Sequence, residues 1–332
     1  MSFPFSLRLP TRHWAVVARH WAVVARPWAV VAAAVAGTVV LAGLAPVAVP
    51  AFATSPPAKV VAVGAESEYA DVISQVGGAY VSATAIMSNP NTDPHEFEAS
   101  ASVAELVSKA ELIVQNGVGY DTFMNKIEAA SPRRGRQVIV AQQLTGVPND
   151  AFDPHLWYNP RTMPAVASAV AAAMSTLDPA HKAYFEANAA RFIGSLRPWV
   201  TALADLKHRY GGTPVAVTEP VADYMLQAAG ADIMTPQSLQ AAIMNGTDPS
   251  PQAITIEDSL LSHHKVKVFV YNHQVTDSLT AGFLAEAQKA GVPVVGVYET
   301  MPVPGYHYQS WMLAEANAYL LALTRAKSTV RL

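Results

Sequence analysis

The chain contains no cysteine among its 332 residues. That absence excludes disulfides, thiolate nucleophiles and thiolate metal sites together, and it is compatible with export. Charge is also scarce, at 14% of residues against 51% hydrophobic. No Gly-x-x-x-x-Gly-Lys phosphate loop occurs, so the chain carries no nucleotide-driven motor of that type. The formal net charge of −3 hides an asymmetry. The first 53 residues hold Arg8, Arg12, Arg19 and Arg26 and no acid, which leaves 18 basic against 25 acidic residues in the remainder, a charge of −7. A mildly acidic surface argues against nucleic acid as a partner. The length suits two globular lobes, and the periodic segments are too polar for a multispanning membrane protein.

The N-terminal stretch is distinctive. A heptad beginning Arg12-His13-Trp14-Ala15 recurs at Arg19 and, with Pro27 in place of His, at Arg26. This is a local duplication and not a solenoid, whose repeats are longer and more numerous. From Trp28 to Leu44 the chain is almost wholly apolar, and Ala51-Phe52-Ala53 precedes Thr54. An Arg-bearing segment, an apolar stretch and an Ala-x-Ala site spell a secretory signal, residues 1–53, cleaved after Ala53. An uncleaved membrane anchor is the alternative, since the uncharged stretch is long enough to span a bilayer. Both place the body outside the cytoplasm.

From Lys59 onwards, short apolar runs alternate with amphipathic stretches. Residues 60–63, 81–86, 112–114 and 138–140 read as strands, with helices over 66–76, 100–109, 122–129 and 162–176. Asp178-Pro179 opens a long helical stretch to about Tyr210, which Pro198 should kink and Gly211-Gly212 should close. A second set follows, with strands over 215–217, 266–270 and 292–297 and helices over 222–228, 254–263, 278–289 and 311–326. The expected fold is α/β: two lobes with parallel-rich sheets, 54–177 and 211–332, joined by one long linker helix, 178–210. Ligands of open parallel sheets sit beyond the carboxyl ends of the strands, so facing lobes define a cleft.

Asp-Pro-His occurs twice, at Asp93-Pro94-His95 and Asp153-Pro154-His155, each between an apolar run and a helical stretch. Taken singly, Asp-Pro is a turn or helix-start signal and its His fills a pocket. Repeated in one frame, in a chain with 10 histidines, the pair points to a metal site, because neutral imidazole is the commonest protein ligand for transition metals. Glu219 follows the strand over 215–217, and Glu299 follows the strand over 292–297, so both should face the same cleft. Each also has an ordinary reading, Glu219 as an exposed acid at a helix N-terminus and Glu299 as an acid in a Pro-rich loop. The separations of 60, 64 and 80 residues between His95, His155, Glu219 and Glu299 suit ligands on different strand-end loops and exclude a helical His-Glu-x-x-His site.

His273, at another strand end, is the reserve ligand should Glu299 fail. Trp157 should shield the site. His263 and His264 read as solvated surface, His307 as a capping or packing residue, and His181 and His208 as exposed positions on the linker. Asp248-Pro249-Ser250-Pro251 is a turn before a helix.

Asp93-Pro94-His95-Glu96-Phe97-Glu98, the stretch Glu111-Leu112-Ile113-Val114-Gln115-Asn116-Gly117, Asp153-Pro154-His155-Leu156-Trp157 and the long helix after Asp178-Pro179 resemble the solute-binding proteins of zinc and manganese ABC importers, over roughly residues 59–326. The resemblance implies metal ligands at His95, His155, Glu219 and Glu299. The last is a departure, since the family commonly has Asp there. The chain also lacks the His-rich acidic loop of many zinc-specific relatives and the Cys that would carry a lipid anchor. The implied cargo is one zinc or manganese ion, and the implied partner is a membrane permease with a separate ATPase.

Four protein ligands favour carriage over catalysis, because a hydrolytic metal needs an open position for water. Two imidazoles and two carboxylates tilt the site towards manganese in hardness, while the Irving–Williams order still gives zinc the tighter binding. The rival readings are a secreted metal-dependent hydrolase, which predicts turnover, and a surface adhesion module in which metal only stabilises the fold.

Overall fold

A computed structural model describes residues 59–302 and 304–332. The leader and its cleavage site at Ala53 lie outside the described residues. The described residues belong to one compact unit.

In the first half, β1 (Val60–Glu66) leads into α1 (Ser67–Gly77), β2 (Val81–Met87), α2 (Ala101–Lys109), β3 (Leu112–Gln115), α3 (Thr122–Ala130), β4 (Gln137–Val140), α4 (Ala141–Thr145) and α5 (Thr162–Leu177). The strands are the expected β-branched apolar runs, which suit a sheet covered on its faces. β1 continues through Glu66, a residue the periodicity assigns to the following helix. All pairings are parallel, in the order β2-β1-β3-β4.

The linker is two helices and not one. After a single turn at Pro179–His181 come α6 (Lys182–Ser195) and α7 (Arg197–Tyr210), separated at Leu196. Pro198 sits in the first turn of α7, where its missing N–H is least costly, and the break precedes it as proline sterics require. His181 is half-buried and stacked on Tyr80 with ring centroids 3.7 Å apart, which corrects its expected exposure. His208, His263 and His264 are exposed as expected.

The second half repeats the plan. β5 (Pro214–Val217), α8 (Asp223–Ala228), β6 (Asp232–Ile233), α9 (Gln237–Met244), α10 (Pro251–Ser262), β7 (Val268–Asn272), α11 (Ser278–Ala290), β8 (Val294–Val297) and α12 (Tyr308–Arg325) follow in order. The sheet is again parallel, in the order β6-β5-β7-β8. Local chemistry sets the helix ends. Ser250 caps α10 ahead of Pro251, accepting from the Ala253 N–H at 3.2 Å. Asp277 and Thr280 form a reciprocal capping box on α11, and Gly291 ends that helix in the left-handed region at φ +74°. At the start of α12 the His307 backbone N–H donates to Ser310 Oγ at 3.0 Å, and the His307 ring Nδ1 lies 2.7 Å from Asp71 Oδ1. The side-chain caps at Ser250 and Asp277 each contribute about 1 kcal/mol.

The main apolar core is continuous across both halves. Val72, Trp157 and Met163 from the first half and Phe185 and Trp199 from the linker join Val215, Val297, Trp311 and Tyr319 in one buried cluster. A shared core resists wide opening, because packed interiors transmit displacement and do not stretch. Among the described residues, no helix is long and apolar enough to cross a membrane.

Candidate metal centre

Both sheets present the carboxyl ends of their strands to the region where the candidate ligands lie. His95 follows β2, His155 lies beyond β4, Glu219 directly follows β5, and Glu299 lies just beyond β8. Three of the four come together. His95 Nε2 is 3.2 Å and His155 Nε2 is 3.3 Å from the same oxygen, Oε2 of Glu299. One donor atom from each of these three residues lies within 4.8 Å of the others. The imidazole planes are nearly perpendicular, at 89°, with centroids 6.1 Å apart.

Glu219 stands one amide away. The side-chain N–H groups of Asn272 donate to Glu219 Oε1 at 2.6 Å and to Glu299 Oε1 at 2.7 Å. Among the described residues, Oε2 of Glu219 is buried without a hydrogen-bond partner. That is a costly arrangement for a carboxylate unless a proton or a cation compensates it. Burial, together with the charge of Glu299, holds the Glu219 carboxyl well above the usual range. Glu299 goes the other way. Burial opposes its charge, but hydrogen bonds from His155 and His95 outweigh burial and hold it below the usual range. For His155, burial disfavours the imidazolium, yet Asp153 and Glu299 overcome that and raise its pKa to about 10.

His155 is fully buried and rigidly held. Its Nδ1 lies 2.8 Å from Asp153 Oδ1, which leaves Nε2 aimed at the cluster. A carboxylate–imidazole pairing of this kind fixes the ring orientation, as a metal ligand would need. Its indole neighbour, Trp157, packs edge-on at 5.4 Å, as a shield should. The loop is pinned by Asn116 Nδ2, which donates to the Pro154 carbonyl at 2.7 Å, and by Tyr224 from the second half, whose hydroxyl donates to the Asp153 carbonyl at 3.2 Å.

His273 is turned elsewhere. It stacks on Tyr298, with centroids 5.4 Å apart, and its Nε2 bonds the Val330 carbonyl of the C-terminal tail, so Glu299 and not His273 stands with the two histidines.

The structure adds residues that the motifs do not announce. Gly117, Val118 and Gly119 after β3 all take positive φ, at +87°, +53° and +79°. Only glycine does this cheaply. Shortly after this turn comes Tyr120, whose hydroxyl donates to Glu299 Oε2 at 2.9 Å. Gln274 Oε1 accepts from the backbone N–H groups of both Glu299 and Thr300 at 2.7 Å, fixing the loop that bears the carboxylate. Behind the centre lies a set of buried acids, Glu66, Glu68 and Asp121. Burial raises Glu68 to about 8, and burial with the nearby charge of Asp121 raises Glu66. No local pattern separates such acids from surface ones. The only available signal is position, since Glu66 ends β1 and Asp121 lies just beyond β3.

Comparison with known proteins agrees with the architecture. The family described as zinc-uptake complex component A, periplasmic, matches residues 63–321. The manganese-binding lipoprotein MntA of Bacillus subtilis is 25% identical over 135 residues, or 38% of this chain and 43% of that protein. The zinc-binding protein TroA of Treponema pallidum is 31% identical over 97 residues, or 27% of this chain and 30% of its own length. Each of these alignments takes in less than half of the relative. The solved structure of periplasmic TroA superposes with a TM-score of 0.67 at 18% identity, covering 80% of this chain and all of that one. A manganese-bound periplasmic metal-binding protein from Candidatus Liberibacter asiaticus gives 0.65 at 17% identity, over 80% and 100%. At such identities the structural likeness speaks for the two-lobe α/β fold. The family match spans most of the chain, and with the same fold and a ligand cluster at the strand ends, this chain belongs to the family of zinc-uptake complex component A, periplasmic.

Proposed function

We propose that the chain is an extracytoplasmic solute-binding protein that captures one divalent transition metal ion, zinc or manganese, and delivers it to an ABC importer whose permease and ATPase are separate chains. The ligands in this reading are His95, His155, Glu219 and Glu299, with residues 1–53 as the export leader. The observation that carries it is the convergence of two imidazoles and a carboxylate within 4.8 Å between the two sheets. A carrier needs this near-closed set of protein donors, whereas a hydrolase needs a vacant position and a base for its water. Relatives named for manganese and for zinc both fit the mixed nitrogen and oxygen donors.

Release follows from separating the histidines of one half from the glutamates of the other. The continuous core makes that separation small, closer to shear than to wide hinge closure. The test is native mass spectrometry of metal-stripped protein with either ion. The expected result is one ion bound, with binding lost in His155→Ala. Retention of both ions by that variant at unchanged affinity would overturn the assignment.

A further inference from the structure

Asn272 closes β7 between the two glutamates and is fully buried. Its backbone N–H donates to Thr218 Oγ1 at 3.0 Å, and its Oδ1 accepts the Gln274 backbone N–H at 3.0 Å. A backbone N–H can only donate, so the atom facing Gln274 must be the carboxamide oxygen, and the amide orientation follows. The nitrogen then points at Glu219 Oε1 and Glu299 Oε1, 2.6 and 2.7 Å away. A carboxamide nitrogen carries two hydrogens, and both are committed. One oxygen of each carboxylate is thereby engaged by Asn272, and the other is Oε2, which in Glu299 faces the histidines and the Tyr120 hydroxyl and in Glu219 is buried without a partner among the described residues.

We propose that Asn272 determines the metal preference of this centre: by occupying Oε1 of both Glu219 and Glu299 it makes each carboxylate offer the ion a single oxygen, which favours zinc over manganese. The inference rests on the carrier reading given above and deepens it. Two imidazole nitrogens and two single carboxylate oxygens form a four-donor set, the tetrahedral number that zinc takes in closed protein sites. Manganese prefers six mostly oxygen donors. With only four protein side chains, it approaches that number by chelating through both oxygens of each glutamate. Chelation makes each Oε1 share its lone pairs between the ion and the Asn272 amide, which weakens two short, buried contacts to carboxylates. Asn272 cannot retreat, because its backbone is anchored in a strand and its oxygen is held by Gln274. The acidic composition of the donor set alone would lean towards manganese. The second sphere reverses that lean.

The ratio of manganese to zinc dissociation constants, measured by chelator competition on metal-stripped protein, tests the inference. Asn272→Ala frees both Oε1 atoms, and the zinc preference is expected to narrow roughly tenfold, the equivalent of losing a charge-assisted hydrogen bond. A purely structural role would weaken both ions in equal proportion, so an unchanged ratio overturns the inference while leaving the carrier reading intact. X-ray absorption of the zinc-loaded unmodified protein gives an answer that does not depend on the variant folding. About four nitrogen and oxygen neighbours are expected, and both glutamates chelating through two oxygens would overturn the inference. Failure of the unmodified protein to bind either ion would overturn the carrier reading and the inference together.

Discussion

The two Asp-Pro-His segments make the same turn and put it to different use. In both, the aspartate carboxylate accepts the backbone N–H of the histidine two residues on, at 2.8 Å. Beyond that they diverge. At the second copy the same carboxylate also holds the imidazole, the side chain is fully buried, and contacts from Asn116 and Tyr224 pin the loop. At the first copy the His95 side chain is 23% exposed and approaches Tyr120 edge-on, with centroids 5.4 Å apart. Its loop is tied to the second half by Gln274 Nε2, which donates to the Thr92 carbonyl at 2.9 Å. Beneath that loop lies a largely apolar cavity of about 240 Å³ between Met87, Pro94, Phe97 and Thr300. One sequence motif thus gives a fixed post at His155 and an accessible arm at His95. The lesson is that the motif encodes the turn, while burial decides how firmly the ligand is held.

That contrast can be broken or sharpened by substitution. His155→Ala should have the largest effect. It removes a ligand and leaves Asp153 and Glu299 facing each other in a buried site. The metal-free protein should lose about 3–5 kcal/mol, the usual cost of orphaning a buried charged partner, as read by urea denaturation. His95→Ala should abolish tight binding as well, but it should change metal-free stability by less than about 1 kcal/mol, because a partly exposed pair contributes little. Equal destabilisation by the two variants would erase the distinction.

A smaller difference is expected one shell out. Asp153→Asn should lower metal affinity by roughly 10–100-fold, the range found when the carboxylate behind a ligating histidine is lost. Asp93→Asn should do far less, since among the described residues Asp93 bonds only the backbone N–H of its histidine. Isothermal titration of the two variants side by side decides this.

The titration of the centre gives a gentler check. His155 has its pKa raised from 6.5 to about 10. Its contribution to the metal-free protein is therefore fully present below about pH 6.5 and fades as pH rises through about 10. Glu299 has the opposite sign, and its contribution is lost as pH falls below the usual carboxylate range. An incoming ion must displace the His155 proton and any proton held by Glu219, so zinc binding at pH 7 should release at least one proton, measurable by calorimetry in buffers of different ionisation enthalpy. Binding without proton release would place the neutral imidazole in the empty site.

The strands and most helices were legible because each is a local pattern, short apolar and often β-branched runs for strands and amphipathic spacing for helices. The elements that escaped were short or weakly apolar. β6 has two residues and α4 five, and α9 begins after Pro236 without a side-chain cap. α12 starts at Tyr308, earlier than its apolar period suggests, because Ser310 Oγ accepts the His307 N–H and Asp71 accepts the Tyr308 N–H. The linker reads as one helix because nothing in its apolar spacing marks Leu196.

At the candidate site, His95 and His155 stand out in the sequence through repetition and Glu219 and Glu299 through their place after strands, and of these the structure groups His95, His155 and Glu299. Asn272 and Tyr120 do not stand out, because they act on partners 53 and 179 residues away. Such contacts exist only once the two sheets face each other.

The claim that one ion is held between the two halves is tested most directly by zinc titration into the metal-stripped protein, followed by calorimetry and repeated with His155→Ala. One equivalent bound by the unmodified protein, with loss of that binding in the variant, is the predicted result. Binding that persists unchanged in His155→Ala, or no binding by the unmodified protein, would contradict it.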